Sequence, residues 1–397
     1  MLIWKLIFWL LIFIVFYAYL GYGLLLFLLV KMKRLVFKRP LLRFKEDELP
    51  EVTFIVAAYN EQDYIAAKIA NCLAFDYPKE KIEFWFVTDG SNDRTPDLVK
   101  NYPTPEGYRI RLFHSSERKG KIAAVERVMP FVKTPITIFT DANTDVNPEA
   151  IRLMVHHFAD PKTGAVAGEK RIAVGATGDA TGAGEGIYWK YESKLKKWDA
   201  ELYSAVGAAG ELFGIRTALY NNVPQDSLIE DFVMTMQIAM KGYRIAYEPL
   251  AYASESQSAS IAEELKRKIR IAAGGLQAAG RLSSLLNPFR YGLLSFQYIS
   301  HRVLRWTLAP LALPLIFAIN IVLAEQGVLL YKILLALQVA FYFFAFLGYL
   351  FERKQLKIKA FFVPYYFCVM NYAMYRGFFR LISGRQSVVW EKAKRAV

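Results

Sequence analysis

Apolar residues are concentrated at the two ends of this 397-residue chain, and this distribution limits most strongly how it can fold. The first apolar stretch covers residues 2–30 and contains a single charge, Lys5. About 20 apolar residues cross a hydrocarbon core roughly 30 Å thick, so residues 1–31 are predicted to form a transmembrane anchor. A cleaved signal peptide would have a shorter apolar core and a small-residue cleavage site, whereas this stretch is long and ends in basic residues.

Three further apolar stretches lie in the C-terminal region at 307–383, and charges around them indicate an orientation. The stretches are 307–323, 328–350 and 360–382. A basic cluster follows the anchor, and it consists of Lys31, Lys33, Arg34, Lys38 and Arg39. Because basic loops stay in the cytoplasm, the middle of the chain is expected to be cytoplasmic in a multi-pass protein of the cell membrane. The last stretch contains Pro364 and Arg376, so it is either a span or a re-entrant or interfacial segment that keeps the basic tail, 384–397, inside.

The formal net charge of +14 indicates that the binding partners of this chain are negatively charged. Nucleic-acid binding is one interpretation of so basic a chain. Many of the basic residues flank apolar segments, however, which favours contact with anionic headgroups or a phosphate-bearing substrate. With only two cysteines, Cys72 and Cys368, a disulfide framework is not expected.

The middle of the chain alternates strand-like and helix-like stretches. The predicted strands are 52–57, 82–88, 108–113 and 136–140, and the predicted helices are 62–74, 95–102 and 121–132. This alternation predicts an α/β domain over residues 50–280 with a mostly parallel sheet. A loop rich in small residues is expected at 173–186, and an amphipathic segment along the membrane surface at 285–306.

Polar side chains follow the predicted strands, where ligands bind in open parallel sheets. Ala58, Asn60 and Glu61 follow the first strand, and Asp89 ends the second. Asp141-Ala-Asn143 follows the fourth strand and suggests a site for Mg²⁺ or Mn²⁺, since hard cations take oxygen ligands. Turn formation is the alternative at each position, because Asp and Asn favour Asx turns and helix caps.

Three other charged groups are candidates for chemistry. Lys121 stands at the start of a predicted helix, where lysines and backbone N–H groups bind phosphate. Glu230 and Asp231 open another predicted helix, and one of them is a candidate general base. Arg267 and Arg270 lie on one helical face and suit a diphosphate. The alternatives are a solvated basic turn, acids that suit the helix dipole, and a basic helix on the membrane surface.

Taken in order, these segments resemble family 2 glycosyltransferases with the nucleotide-diphospho-sugar transferase (GT-A, Rossmann-like) fold. The motifs are VAAYNE at 56–61, VTDGSNDRT at 87–95, KGK at 119–121, FTDAN at 139–143, YWKYE at 188–192, GELFGIR at 210–216 and IEDF at 229–232. The flanking apolar segments resemble the polysaccharide-synthase branch. The resemblance implies that Asp89 contacts the base and ribose of a nucleotide sugar, that Asp141 and Asn143 stand at the metal and diphosphate, and that Asp231, beside Glu230, is the base of an inverting transfer.

Two departures from the family pattern matter. Asn143 is neutral where the metal motif has a second acid. Processive relatives carry Gln-x-x-Arg-Trp after the base, but residues 267–271 lack both Gln and Trp. A second version of that motif, at 302–306, lies beside an apolar stretch. It indicates an interfacial anchor, since Trp and Arg are frequent at the membrane–water interface.

Three functions are compatible with these patterns. The first is transfer of a sugar to a lipid-linked or nascent glycan acceptor in the synthesis of cell-surface or extracellular polysaccharide. The second is a processive synthase that also extrudes its product, and the absence of Gln and Trp weighs against it. The third is a non-enzymatic membrane scaffold, which ionisable residues inside the spans would favour. Nucleic acid is not an expected partner, and no protein partner is predicted.

Overall fold

The computed structural model describes residues 1–37, 42–173, 180–256, 261–354 and 358–384. The strands are β1 Val52–Ala58, β2 Ile82–Asp89, β3 Ile110–Ser115, β4 Ile136–Asp141, β5 Asp145–Val146, β6 Thr163–Ala173, β7 Leu212–Arg216 and β8 Arg244–Ser256. The first helices are α1 Leu2–Phe16, α2 Tyr22–Val36, α3 Ile65–Leu73, α4 Thr95–Lys100, α5 Lys121–Val128, α6 Ala150–His157, α7 Ala180–Leu202 and α8 Glu230–Met240. The remaining helices are α9 Ile261–Arg281, α10 Pro288–Tyr291, α11 Leu293–Tyr298, α12 Leu304–Trp306, α13 Leu308–Ala324, α14 Leu329–Arg353 and α15 Lys359–Ile382.

The described strands form one mixed, mostly parallel sheet in the order β3-β2-β1-β4-β7-β6-β8-β5. The first four strands in this order run parallel, with Val52 of β1 paired to Ile82 on one side and Ile136 on the other. Strand β7 is antiparallel to both of its neighbours. The predicted crossover pattern is confirmed for β1 to β4, and the predicted bounds of these elements agree to within a few residues.

Alternate residues along the central strands face opposite sides of the sheet, which is the period expected of a strand. Ile55 and Trp85 belong to one buried cluster, which α5 and α8 cover. Phe54 and Phe84 belong to the other cluster, which α3 and α6 cover. Because both faces are covered by helices, the carboxyl edge of the parallel strands is left as the place where a ligand can bind.

The small-residue loop expected at 173–186 was wrong for the residues that the structure describes there, since Ala173 ends β6. Helix α7 already begins at Ala180, so residues 180–186 are helical, while 174–179 lie outside the described residues. The later turns of α7 pack against α2, where Leu195 is buried beside Tyr22, Leu26 and Val30. This packing stabilises a helix whose glycine-rich start has low intrinsic propensity.

Two described helices are long and apolar enough to cross a membrane. One covers Leu2–Val36, where α1 and α2 are joined by a π-helical turn at Tyr17–Gly21, and the other is Leu329–Arg353. Helix α13 meets the same criterion only together with Leu293–Trp306, to which it is joined through a bend of 51°. Two candidate helices therefore make the chain a membrane protein, while the number of spans and their orientation stay predictions.

The segment predicted to lie along the bilayer, 285–306, is largely packed inside the protein. Leu294, Gln297, Tyr298 and His301 are buried, whereas Phe289 is 99% exposed. Gln297 and His301 both bond to Asp199 of α7, which explains why this part of the segment faces inward. Only the part around Phe289 retains the surface exposure that an interfacial segment requires.

Candidate active site

A single cleft of about 890 Å³ lies at the carboxyl edge of the parallel strands. It is lined by nearly all of the residues that the sequence singled out: Ala58, Glu61, Asp89, Lys121, Asp141, Asn143, Glu230, Asp231, Arg267 and Arg270. The tertiary structure thus brings together Asp89, Asp141 and Asp231, which come from β2, β4 and α8. Their catalytic roles remain predictions.

Asp89 is held in place by the basic turn that precedes α5. Its Oδ2 atom accepts hydrogen bonds from the backbone N–H groups of Lys119, at 3.0 Å, and Gly120, at 2.6 Å. Gly90 has a φ of +65°, and a β-carbon there would lie 2.5 Å from the Arg118 side chain, so the turn admits only glycine. The Oδ1 atom of Asp89 is buried and has no hydrogen-bond partner in the described part of the chain. This atom is available to a donor group on a ligand.

Lys121 connects two acids of the cleft. Its Nζ lies 2.7 Å from Oδ1 of Asp141 and 3.4 Å from Oε1 of Glu230. Burial acts to lower the pKa of Lys121, but the two carboxylates outweigh it and raise that pKa above the ordinary value. Burial also raises the pKa of Asp141, and Lys121 offsets part of that rise. The ammonium group therefore neutralises the acids that the sequence assigned to metal and catalysis.

Asp231 stands in the first turn of α8, at the wall of the cleft. Burial and the neighbouring Glu230 raise the pKa of Asp231 to about 7, against the opposing effect of Lys121. The segment before β7 approaches closely, since a β-carbon on Gly210 would lie 3.3 Å from Oδ2 of Asp231. A carboxylate with a pKa near neutrality is well matched to general-base work at neutral pH.

Asn60 is not among the residues that line the cleft. It has a φ of +51°, and its side chain exchanges hydrogen bonds with the loop after β2, donating to Oδ1 of Asn92 at 2.8 Å. Asparagine tolerates this left-handed conformation better than most residues. Asn60 therefore ties two strand-end loops together, and direct contact with a donor stays a prediction.

Arg267 belongs to a buried ion network in the wall of the cleft. It contacts Glu264 at 3.0 Å and Glu255 at 3.3 Å. Lys170, whose side chain is 1% exposed, pairs with Glu255 at 2.6 Å and with Glu211. Burial acts to raise the pKa of Glu211, but Lys170 outweighs burial and holds that pKa well below its usual range.

Arg270, one turn after Arg267, donates to the carbonyl of Leu228 at 3.4 Å, in the loop that leads to Asp231. Both arginines line the cleft, as a diphosphate site would need.

The donor set at Asp141 and Asn143 suits a divalent cation that takes most of its ligands from a substrate. Both residues line the cleft, and within the described residues the Asn143 side chain makes no hydrogen bond. Within the same residues, no group of three or more His, Cys, Asp or Glu side chains is arranged to hold a metal by itself. One carboxylate and one amide oxygen fit the kind of site in which phosphate oxygens and water complete the shell.

Comparison with known proteins identifies the domain that carries this cleft. Residues 53–223 match the family model of glycosyl transferase family 2. The chain contains a family 2 glycosyltransferase domain. The predicted resemblance is thereby confirmed.

Named relatives agree with this assignment. The glycosyltransferase domain is similar to poly-beta-1,6-N-acetyl-D-glucosamine synthase of Staphylococcus aureus, with 30% identity over 237 residues, which is 58% of this chain and 55% of the relative. It is also similar to beta-monoglucosyldiacylglycerol synthase of Trichormus variabilis, with 32% identity over 190 residues, 45% of this chain and 38% of the relative. The chain thus spans about half or less of the length of these relatives.

A solved structure confirms the predicted fold over nearly the whole chain. Mannosyltransferase PcManGT from Pyrobaculum calidifontis, in complex with GDP-Man and Mn2+, superposes with a TM-score of 0.72 and 23% identity. The match covers 96% of this chain and 100% of that chain. The glycosyltransferase domain has the GT-A fold, and the similarity extends into the apolar helices.

The interpretation of 302–306 as an interfacial anchor needs correction. Arg302, Arg305 and Trp306 all line the cleft of the glycosyltransferase domain. Trp306 packs edge-on against Phe232, the residue after Asp231, with ring centroids 5.3 Å apart. The similarity of 302–306 to the Gln-x-x-Arg-Trp motif indicated a place at the cleft. The neighbouring apolar stretch led instead to the prediction of an interfacial anchor. The bend between α12 and α13 turns these residues back over the domain.

Several residues of the cleft were missed by sequence reasoning. Glu192 of α7 is buried between Arg302, at 2.7 Å, and Arg305, at 3.3 Å. Burial acts to raise the pKa of Glu192, but the two arginines and His301 outweigh burial and hold that pKa well below its usual range. The YWKYE motif at 188–192 was the signal for Glu192. Lys170 had no comparable signal, because a single lysine in a strand gives no indication that carboxylates surround it.

Proposed function

We propose that this chain transfers a hexose from a nucleotide-diphospho-sugar to an acceptor at the membrane, with inversion at the anomeric carbon. The observation that supports the proposal most strongly is the convergence of Asp89, Asp141 and Asp231 on one cleft. The names of two relatives, a poly-beta-1,6-N-acetyl-D-glucosamine synthase and a beta-monoglucosyldiacylglycerol synthase, support a role in the synthesis of polysaccharide or glycolipid.

Each acid has a distinct task in this proposal. The free Oδ1 of Asp89 accepts a hydrogen bond from the base or ribose of the donor. Asp231 takes the proton of an acceptor hydroxyl, whose oxygen bonds to the anomeric carbon while the bond to the nucleoside diphosphate breaks. Lys121 turns from the acids toward the leaving diphosphate, and Arg270 stabilises the same charge.

The cofactor in this proposal is Mg²⁺ or Mn²⁺, held by Asp141 and Asn143 together with donor phosphates. When bound, the cation neutralises charge on the departing diphosphate. The Mn2+ of the PcManGT complex favours manganese as the first metal to test.

The test is a panel of nucleotide sugars, GDP-mannose among them, offered to the purified chain with Mg²⁺ or Mn²⁺. We expect nucleotide release with at least one donor, and its loss in Asp231→Asn with folding intact. Release by none of the donors, or undiminished release and transfer by Asp231→Asn, refutes the proposal and leaves the scaffold as the better account. Asp226→Asn is a matched control, because Asp226 is exposed and pairs with Arg281 away from the cleft.

The membrane topology forms part of the same proposal. We infer several spans with the glycosyltransferase domain in the cytoplasm, because Lys33 and Arg34 follow the anchor directly. In a cysteine-free background, Glu106→Cys on the domain should react with an impermeant maleimide only after cells are permeabilised. Gln326→Cys, in the hairpin between α13 and α14, should react in intact cells. The reverse pattern refutes the orientation.

Processive synthesis is the second candidate, and the position of Trp306 favours it more than the sequence did. An aromatic side chain beside the base gives a growing glycan a surface on which to stack. The length of the product made from one labelled acceptor separates the two functions. A ladder of long products at low turnover indicates processive synthesis, and a single addition indicates the simpler transferase.

A further inference from the structure

The cleft of the glycosyltransferase domain continues onto the apolar helices. One side of α15 lines it with Val363, Phe367, Met370 and Met374, which recur at helical spacing, and Tyr366, Asn371, Ala373 and Arg380 of the same helix also line it. Tyr19 and Leu20 line it from the π-helical turn between α1 and α2. The same cavity therefore has carboxylates at one end and hydrocarbon side chains at the other.

Helix α15 is a fixed wall of this cavity, because it packs closely on α9. A β-carbon on Gly377 would lie 2.8 Å from both the β-carbon of Ala272 and the backbone nitrogen of Ala273. Small residues allow helices to approach in this way. Since α9 also carries Arg267 and Arg270, the apolar face and the predicted diphosphate site are built on one pair of helices.

A chain of contacts connects the proposed base to the apolar end. Phe232, next to Asp231, contacts Trp306. Arg305, next to Trp306, donates from Nε to the carbonyl of Ala18 in the π-helical turn, at 2.8 Å. Tyr19 then reaches α15, where its hydroxyl donates to Oδ1 of Asn371 at 2.7 Å.

The apolar end of the cleft opens at the exposed surface of the apolar helices. Leu20 and Val363 line the cleft and are also 57% and 52% exposed. Tyr19, beside Leu20, contacts Phe367, one turn after Val363, with ring centroids 5.2 Å apart. The exposed side chains of Leu20 and Val363 therefore mark the mouth of the cleft, beside the contact that joins the π-helical turn to α15, and these side chains suit lipid rather than water.

Building on the proposed function, we propose that the acceptor is a lipid that enters through this lateral mouth. Its hydroxyl-bearing headgroup lies between Trp306 and Asp231, and its hydrocarbon chain lies along Val363, Phe367, Met370 and Met374. Two methionines suit chains of varied shape, because the Met side chain is unbranched and adaptable.

Chain-length dependence tests the proposal in the full-length protein. Alkyl glycosides of one sugar, with methyl and dodecyl chains, are offered with the donor identified above. In the wild type, kcat/KM for the dodecyl acceptor should exceed that for the methyl acceptor by about tenfold or more, since the bound chain orients the hydroxyl. In Met370→Trp and Met374→Trp this ratio should fall toward one. Val369→Trp is the matched control, because Val369 is also half-buried on α15 but does not line the cleft, and it should keep the ratio.

A photoreactive glycolipid provides an independent readout. A glucosyl diacylglycerol with a diazirine in one acyl chain, in nanodiscs, should label Met370 or Met374, and Met370→Trp should reduce this labelling. A dodecyl-to-methyl ratio near one in the wild type, or labelling that Met370→Trp leaves unchanged, overturns the lipid site. If nucleotide is still released in that case, the proposed function stands. If no donor is cleaved, the proposed function itself fails, and labelling alone decides whether the lipid site exists.

Discussion

Replacing Asp231 by asparagine should stabilise the protein at alkaline pH while abolishing transfer. Folding raises the pKa of Asp231 from its ordinary value of 3.8 to about 7. The folded state therefore holds this proton more tightly than the unfolded chain does. The resulting stabilisation is complete below pH 4 and is lost as the pH rises through about 7. Above pH 7 the wild type carries an ionised carboxylate in an unfavourable site, and the variant does not.

The size of the effect follows from the same values. Each pH unit of difference in pKa corresponds to about 1.36 kcal/mol, so the rise amounts to about 4 kcal/mol for a fully buried group. Because Asp231 borders an open cleft, water reduces this, and we expect roughly 2 kcal/mol. For a domain of this size that raises the melting temperature by roughly 4 °C at pH 8.

Thermal unfolding in detergent, followed at pH 4.5, 6 and 8, measures this difference. The melting temperatures of wild type and Asp231→Asn should converge at the lowest pH and separate as the pH rises. Asp226→Asn, on an exposed acid, should follow the wild type throughout. Equal melting temperatures at pH 8, or a difference that does not depend on pH, would show that Asp231 is not destabilised by burial and that the argument for a base near neutrality is wrong.

Four further results should follow from the geometry of the site. For the wild type, kcat/KM should fall as the pH drops below about 7, because the base must be ionised to accept a proton; a limb near pH 4 would contradict this. Trp306→Ala should raise KM for the acceptor roughly tenfold with a smaller change in KM for the donor, and Trp306→Phe should recover part of the loss in acceptor titrations. Lys170→Met removes the buried cation that Glu211 and Glu255 share and leaves only Arg267 in contact with Glu255, so it should cost about 3–5 kcal/mol of stability, seen as a lower melting temperature; an unchanged value would exclude a structural role. Chelation should abolish nucleotide release, and Asp141→Asn should raise the Mn²⁺ concentration needed to restore it, whereas activity in excess chelator would exclude the cation.

A large part of this protein could be predicted from local sequence. The strands from β1 to β4 alternate with helices, and period and strand-end chemistry are properties of short segments. Asp89, Asp141 and Asp231 were found for the same reason, because each follows or opens a regular element. The anchor was equally clear, since hydrocarbon thickness fixes the length of a spanning helix.

What only the tertiary structure decided is how distant segments meet. Trp306 was assigned to the membrane surface because its neighbours in sequence are apolar, but in the fold its ring contacts Phe232. Gly275 of α9 leaves room for that ring, since a β-carbon there would lie 2.7 Å from it. Lys170 gave no signal, since burial between two carboxylates depends on the pairing of β6 with β8 and on the approach of β7. The apolar wall of the cleft needed the contact between α9 and α15, which no periodicity encodes. Strand and helix periodicity depends on backbone geometry and on which side chains avoid water, so short segments reveal it. The cleft depends on packing between elements up to several hundred residues apart.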